Sequence, residues 1–168
     1  APIALRINPD VDAGTHEKIT TGRKDSKFGI DIDDAKRVYG VARTLPHIRI
    51  QGVSVHIGSQ LTDLTPFRHA YQRVRSFVEE LRAGGYDLRV VDLGGGLGIP
   101  YVSKADVPPP PEAYGAMITD VMQGMDAQFL FEPGRLIVGN AGVLVSSVIY
   151  LKENANQFFL VIDAAMND

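Results

Sequence analysis

Four short clusters in this chain carry the side chains and backbone freedom that chemistry requires. The first, Val55-His56-Ile57-Gly58-Ser59-Gln60, sets a histidine at the end of an apolar run and follows it with glycine and serine. An imidazole there could lie against a planar ligand, and the hydroxyl could reach a phosphate. The ordinary alternative, and for a lone histidine the commoner one, is a ring satisfied by neighbouring backbone. The second cluster is Asp92-Leu93-Gly94-Gly95-Gly96-Leu97-Gly98-Ile99. Three consecutive glycines cost chain entropy, so something must need their backbone freedom. Either their N–H groups approach phosphate oxygens, or the run is a tight turn packed beneath a following element. No Gly-Lys-Ser/Thr follows, so this is not a Walker loop, and the spacing departs from the dinucleotide fingerprint.

The third cluster, Phe131-Glu132-Pro133-Gly134-Arg135, places a carboxylate at the mouth of a buried strand, which is costly unless it meets a positive partner. Gly134 offers a close backbone donor, and Arg135 can hold a carboxylate or phosphate through two parallel hydrogen bonds. The plain alternative is a Glu132–Arg135 ion pair in a turn, which is worth little. The fourth runs from Ile19 to Ile30, a polar loop with two glycines and four charges. As a charge run it reads most readily as a solvated face, and His16 just before it is equally open.

Regular elements must position these clusters. Ile3 to Ile7 reads as a strand ended by Asn8-Pro9-Asp10. A helix is predicted from Asp31 to Leu45, capped by Asp31 or Asp33 and stopped by Pro46, and a strand from Ile48 to Val55. Thr65 is the predicted N-cap of the clearest helix. Pro66 follows it, Phe67, Ala70, Tyr71, Val74, Phe77, Val78 and Leu81 recur on one face, and Gly84-Gly85 closes it. Further strands are predicted at Leu88–Leu93 and Gln128–Phe131. Helices are expected at about Glu112–Met125, after a proline run, and more weakly from Leu136. Val143–Leu151 and Phe158–Ile162 both read as strands.

Alternating strands and helices indicate an α/β fold with parallel strands. Asn8, His56, Gly94 and Glu132 each fall just past a strand, 48, 38 and 38 residues apart. That spacing suits a partial (β/α)8 TIM barrel of about four βα units, leading into the start of a C-terminal β domain. The boundary is expected between 1–142 and 143–168. A doubly wound open sheet is the structural rival. A half ring would leave open sheet edges, and both ends of the chain fall beside apolar runs. The chain is therefore expected to be an internal fragment of a longer protein.

Composition narrows the classes further. The 168 residues carry 17 basic and 20 acidic side chains for a net charge of −3, and 45% are hydrophobic. There is no basic stripe for a nucleic acid, and no apolar run of about 18 residues that could span a bilayer. The absence of cysteine excludes a disulfide framework and thiolate-held metals. Because His16, His47, His56 and His69 are scattered, no metal site is expected.

Taken together, RINPD, TTGRKDSKFGI, HIGSQ, LGGGLGIPY, EPGR and VIDAAMND resemble, in order and across nearly the whole chain, the diaminopimelate decarboxylases. These belong to the alanine-racemase-like, fold-type III pyridoxal-phosphate decarboxylases. The one small departure is Ala165, where the family usually has glycine. The resemblance implies pyridoxal 5'-phosphate as cofactor, with His56 stacked on its ring and Ser59 at its phosphate. Gly95 and Gly96 would bind it, Gly96 and Gly134 donating backbone N–H groups to the phosphate. Glu132 would lie at the pyridine nitrogen with Pro133 beside it, and Arg135 would meet the substrate carboxylate. The implied reaction is decarboxylation of meso-2,6-diaminopimelate to L-lysine in a cytoplasmic homodimer of lysine biosynthesis, without nucleic acid, membrane or metal. No catalytic residue is expected in this segment: the family's Schiff-base lysine lies on an earlier strand, and Lys18, Lys24, Lys27, Lys36, Lys104 and Lys152 lie outside its motif. The chain by itself is therefore expected to be inactive. Alternatives are a fold-type III decarboxylase acting on a D-amino acid, carboxynorspermidine, ornithine or arginine, a non-catalytic homologue binding cofactor or a partner, and a phosphate-binding barrel without pyridoxal chemistry.

Overall fold

Four strands of this chain pair side by side in the order in which they are made. In the computed structural model, which describes residues 1–11, 28–101 and 107–165, the chain divides into two compact units, Ala1–Ile137 and Val138–Asp168. The first contains β1 (Pro2–Asn8), β2 (Ile30–Asp31), α1 (Ile32–Thr44), β3 (Arg49–Ser54), α2 (Thr65–Ala83), β4 (Val90–Asp92), α3 (Pro111–Val121) and β5 (Gln128–Leu130). A four-residue helix, α4 (Arg135–Val138), follows. The sheet order is β2-β1-β3-β4-β5, and every pairing is parallel.

The order bears on the two candidate architectures. Taken formally it reverses at β1, as a doubly wound sheet does at its switch point. The strand on the far side of β1 is β2, however, only two residues long, and the longer strands β1, β3, β4 and β5 neighbour one another in chain order, as successive barrel units do. Crossovers between parallel neighbours are right-handed as a rule, and repeated between successive neighbours that hand places the connecting helices on one face, as in a (β/α)8 barrel. The chain thus contributes four βα units of such a barrel. β2, which periodicity could not reveal in two residues, extends the sheet beside β1 through Ile7↔Ile30 and Asn8↔Asp31.

Each helix forms for local reasons. Asp31 caps α1, its Oδ1 accepting from the Asp33 N–H at 2.9 Å. Thr65 is the first residue of α2 rather than its cap. Leu64 holds the N-cap position, while Asp63 Oδ1 accepts from both the Thr65 N–H (2.8 Å) and the Thr65 hydroxyl (2.9 Å). A carboxylate outcompetes a hydroxyl there because it also meets the positive end of the helix dipole. The apolar stripe of α2 is buried as its periodicity predicts. α3 stops at Val121 rather than Met125, because Met122 leaves helical geometry and Gly124 turns left-handed at φ 78°.

Strand alternation divides the sheet into a helix-facing side and an inner side. Ile7, Val53, Val55, Val91 and Leu93 are fully buried with Phe67, Tyr71 and Val74 of α2. The intervening residues Arg6, Ser54, Asp92 and Leu130 stand in one register row across β1, β3, β4 and β5 and are more open.

The second unit is an antiparallel hairpin of β6 (Val148–Asn154) and β7 (Gln157–Ile162). Its first strand begins at Val148, not Val143. Val148 pairs with Ile162, the last residue of β7. Just beyond, Ser147 C=O accepts from Asp163 N–H at 3.1 Å and Ser147 N–H donates to Asp163 Oδ1 at 2.7 Å, and residues 143–146 have no ladder partner among the described residues. No helix among the described residues is long and apolar enough to cross a membrane.

Candidate functional site

One step beyond the Arg6–Ser54–Asp92–Leu130 row lie Asn8, His56, Gly94 and Glu132. The ladder continues past the formal strand ends: Val55 N–H donates to Asp92 C=O (2.9 Å), Leu93 N–H to Leu130 C=O (3.0 Å), and Glu132 N–H to Gly94 C=O (2.8 Å). The C-terminal ends of β3, β4 and β5 therefore reach the same level. In a barrel that is the end where loops build a site.

The glycine run is what lets these ends meet. A Cβ on Gly94 would lie 2.2 Å from the Val55 carbonyl oxygen, one on Gly95 1.8 Å from that of Glu132, and one on Gly96 2.1 Å from that of Gly58. Gly94 and Gly96 also take left-handed backbone, at φ 67° and 112°. Close packing therefore accounts for the missing side chains, while the N–H groups face different partners. Gly94 N–H donates to Asp92 Oδ1 (2.9 Å) and Gly95 N–H to His56 Nδ1 (3.3 Å). The Gly96 N–H has no acceptor among the described residues, although its carbonyl accepts from Leu61 N–H at 2.9 Å. Gly134 differs again. A Cβ there would meet only the Glu132 carbonyl, at 3.8 Å, so its φ of 53° is what calls for glycine. Its N–H also has no acceptor among the described residues.

Charges converge on His56. The ring is half-buried, and burial holds its pKa below the ordinary 6.5, with the Arg6 charge acting in the same direction and Glu132 and Asp92 against it. Because Nδ1 accepts from Gly95, the neutral ring carries its proton on Nε2. Asp92 is committed to the framework, accepting from Gly94 N–H and, through Oδ2, from the Ser54 hydroxyl at 3.3 Å. Ser59, half-buried, directly follows Gly58, whose carbonyl packs on Gly96.

Arg135 does not form the local ion pair with Glu132. Its Nη1 donates to the Tyr101 hydroxyl (2.9 Å) and to Gln60 Oε1 (3.3 Å). His56, Gly95, Gly96, Glu132, Pro133 and Arg135 thus share one region. Gly95 links His56 to the Glu132–Pro133 backbone, where a Cβ on Gly95 would lie 3.5 Å from Pro133 Cα. Three residues that the motif reading did not assign are part of the same region. Arg6 was visible as a charge inside the apolar run Ile3–Ile7. Gln60 and Tyr101 end motifs already singled out, but nothing in their spacing showed that they meet Arg135. The loop from Ile19 to Lys27 and His16 lie outside the described residues, as do Lys18, Lys24, Lys27 and Lys104. Of the other lysines, Lys36 pairs with Glu80 on the helical layer and Lys152 lies in β6. Among the described residues no three His, Cys, Asp or Glu side chains stand close enough to hold a metal ion.

Residues 1–139 match the family described as pyridoxal-dependent decarboxylase, pyridoxal binding domain. Diaminopimelate decarboxylase of Zymomonas mobilis subsp. mobilis is 49% identical over 168 residues, 100% of this chain and 40% of that protein. The Pseudomonas fluorescens protein of the same name is 50% identical over the same coverage. Among solved structures, diaminopimelate decarboxylase from Helicobacter pylori complexed with L-lysine superposes with a TM-score of 0.90 at 40% identity, covering 100% of this chain and 42% of that one. The chain spans about 40% of the length of the relatives it matches. With the family match running through the whole four-unit sheet and its strand-end loops, this chain belongs to the pyridoxal-dependent decarboxylases, its residues 1–139 matching their pyridoxal binding domain.

Proposed function

We propose that this chain helps to build the site in which pyridoxal 5'-phosphate serves decarboxylation of meso-2,6-diaminopimelate to L-lysine and CO2. The single observation that carries the reading is the convergence of His56, Gly96, Glu132 and Arg135 from the ends of three neighbouring strands. The donor set fits a phosphorylated pyridine. It offers backbone N–H groups that have no acceptor among the described residues for a phosphate, a neutral half-buried ring for a planar face, a carboxylate for a ring N–H and a guanidinium for a substrate carboxylate. The names of the relatives and the L-lysine bound in the Helicobacter structure favour diaminopimelate as substrate and L-lysine as product.

When bound, the pyridoxal group supplies an electron sink for the charge left as CO2 departs. The chain's residues do the rest by position and electrostatics. Gly96 and Gly134 donate N–H groups to the phosphate, and the Ser59 hydroxyl adds a third donor; none of these contributes a titrating charge. His56, held neutral, covers the ring face without adding a cation that would compete with the ring nitrogen. Glu132 accepts the hydrogen bond of that nitrogen and keeps its proton in place, while Gly95 and Pro133 set the backbone that carries the carboxylate. Arg135 binds and orients the substrate carboxylate. On the same reading residues 1–142 belong to a pyridoxal-phosphate-binding barrel and 143–168 to a following β domain, and the intact enzyme is a cytoplasmic homodimer.

The test is Glu132→Gln in the intact protein. Removing the negative charge at the ring nitrogen is expected to lower kcat by about a hundredfold or more while cofactor remains bound. Wild-type turnover in that variant would overturn the assigned role.

A further inference from the structure

Three loops are tied together by one side chain that the proposed chemistry does not use. The Gln60 carboxamide is held at both ends: Nε2 donates to the Ile99 carbonyl at 2.6 Å, and Oε1 accepts from the Ile99 N–H at 3.2 Å and from Arg135 Nη1 at 3.3 Å. Its backbone is equally constrained. Gln60 sits at φ 60°, a left-handed conformation that a non-glycine residue holds only when its surroundings impose it. The next residue, Leu61, is zipped to the glycine loop by Leu61 N–H to Gly96 C=O and Gly98 N–H to Leu61 C=O, both at 2.9 Å. Gly98 leaves room for the carboxamide, since a Cβ there would lie 3.2 Å from Gln60 Nε2.

This arrangement decides which edge of Arg135 is available. Nη1 is occupied by Gln60 and by the Tyr101 hydroxyl, and the guanidinium carbon stands 5.9 Å from the centroid of the Tyr101 ring. Nε and Nη2 have no acceptor among the described residues. Those two N–H groups point in parallel from one edge of the planar fork and match the two oxygens of a carboxylate. A guanidinium on a flexible stem must otherwise be ordered at the moment of binding, and that ordering weakens affinity.

We propose that Gln60 is a positioning residue that locks Arg135 by its Nη1, so that the Nε–Nη2 edge is preset to grip the carboxylate of the ligand. The inference rests on the reading of Arg135 as the carboxylate-binding group, and it assigns specificity for an α-carboxylate to a residue that touches no ligand. Gln60→Met removes the acceptor at nearly constant volume. Gln60→Glu keeps the acceptor but engages Arg135 in an ion pair that competes with the ligand.

The experiment compares binding of L-lysine and 1,5-diaminopentane, which differ only in the carboxylate, to the intact cofactor-loaded protein by calorimetry. Arg135→Met serves as reference, and unfolding midpoints are recorded for every variant. Both Gln60 variants are expected to lose on the order of tenfold in affinity for L-lysine while 1,5-diaminopentane changes less than about twofold. In turnover, KM should rise more than kcat falls. Equal loss for both ligands, or no loss in either Gln60 variant, overturns the positioning role. If Arg135→Met discriminates and the Gln60 variants do not, the carboxylate reading stands and only Gln60 is reassigned. If Arg135→Met does not discriminate either, the carboxylate reading falls, and the positioning role with it.

Discussion

His56 shows how far a residue's type leaves its state undecided. A histidine after an apolar strand could be a cation, a ligand or an inert ring. Its burial, the nearby Arg6 and the Gly95 N–H on Nδ1 make it a neutral hydrogen-bond acceptor. A stability consequence follows. An unfolded imidazole takes up its proton near pH 6.5, and the folded ring does so only at lower pH. Between those two values the unfolded chain binds more protons, so stability rises with pH in that window and the histidine's full contribution is present above about pH 6.5. Acidifying this chain from pH 7.5 to 5.5 is expected to lower its urea midpoint, and His56→Gln should lessen that fall. An unchanged fall in the variant would place the sensitivity elsewhere. At this scale the motifs contained the side chains of the region, but gave no role to Arg6 or Gln60. Their parts depend on neighbours 50 and 75 residues away in sequence.

Among elements, the glycine-bearing loops separate two uses of the same residue. Gly95 lies where another backbone passes, and Gly134 lies where the chain must turn left-handed in open space. Gly95→Ala is therefore expected to cost roughly 3–5 kcal/mol, because the strand ends of β4 and β5 must part to admit a methyl group. Gly134→Ala should cost only about 1–2 kcal/mol, the penalty of a left-handed alanine. Denaturant unfolding of the two variants checks the contrast, and equal losses would refute it. From composition alone the phosphate and packing explanations of Gly94–Gly96 weighed the same, since both need a bare backbone. The helices were more legible. The stripe of α2 is a local pattern that survives whatever it packs against, and only its cap was misjudged, because Asp63 and Thr65 both carry good acceptors and the carboxylate prevails.

For the molecule as a whole, four βα units leave a sheet with apolar residues uncovered. Leu130 and Phe131 at the β5 edge are exposed, and in the hairpin Phe158 and Leu160 are 67% and 62% exposed. Exposed apolar surface of this kind marks contact with further protein. The 168-residue chain by itself is expected to bind a hydrophobic dye and to self-associate with rising concentration, more than the intact protein does. A monomer that leaves the dye dark would contradict this. The sequence by itself determined the strand–helix alternation, the parallel four-unit arrangement and the motifs on successive strand ends, because periodicity, capping and glycine placement are written within a few residues of where they act. The tertiary structure alone decided that Gly94–Gly96 are bare because three backbones meet there. It also decided that His56 is neutral and that Arg135 turns to Gln60 and Tyr101 instead of Glu132. Those outcomes follow from distances between residues far apart in the chain, which only the closing of the sheet sets.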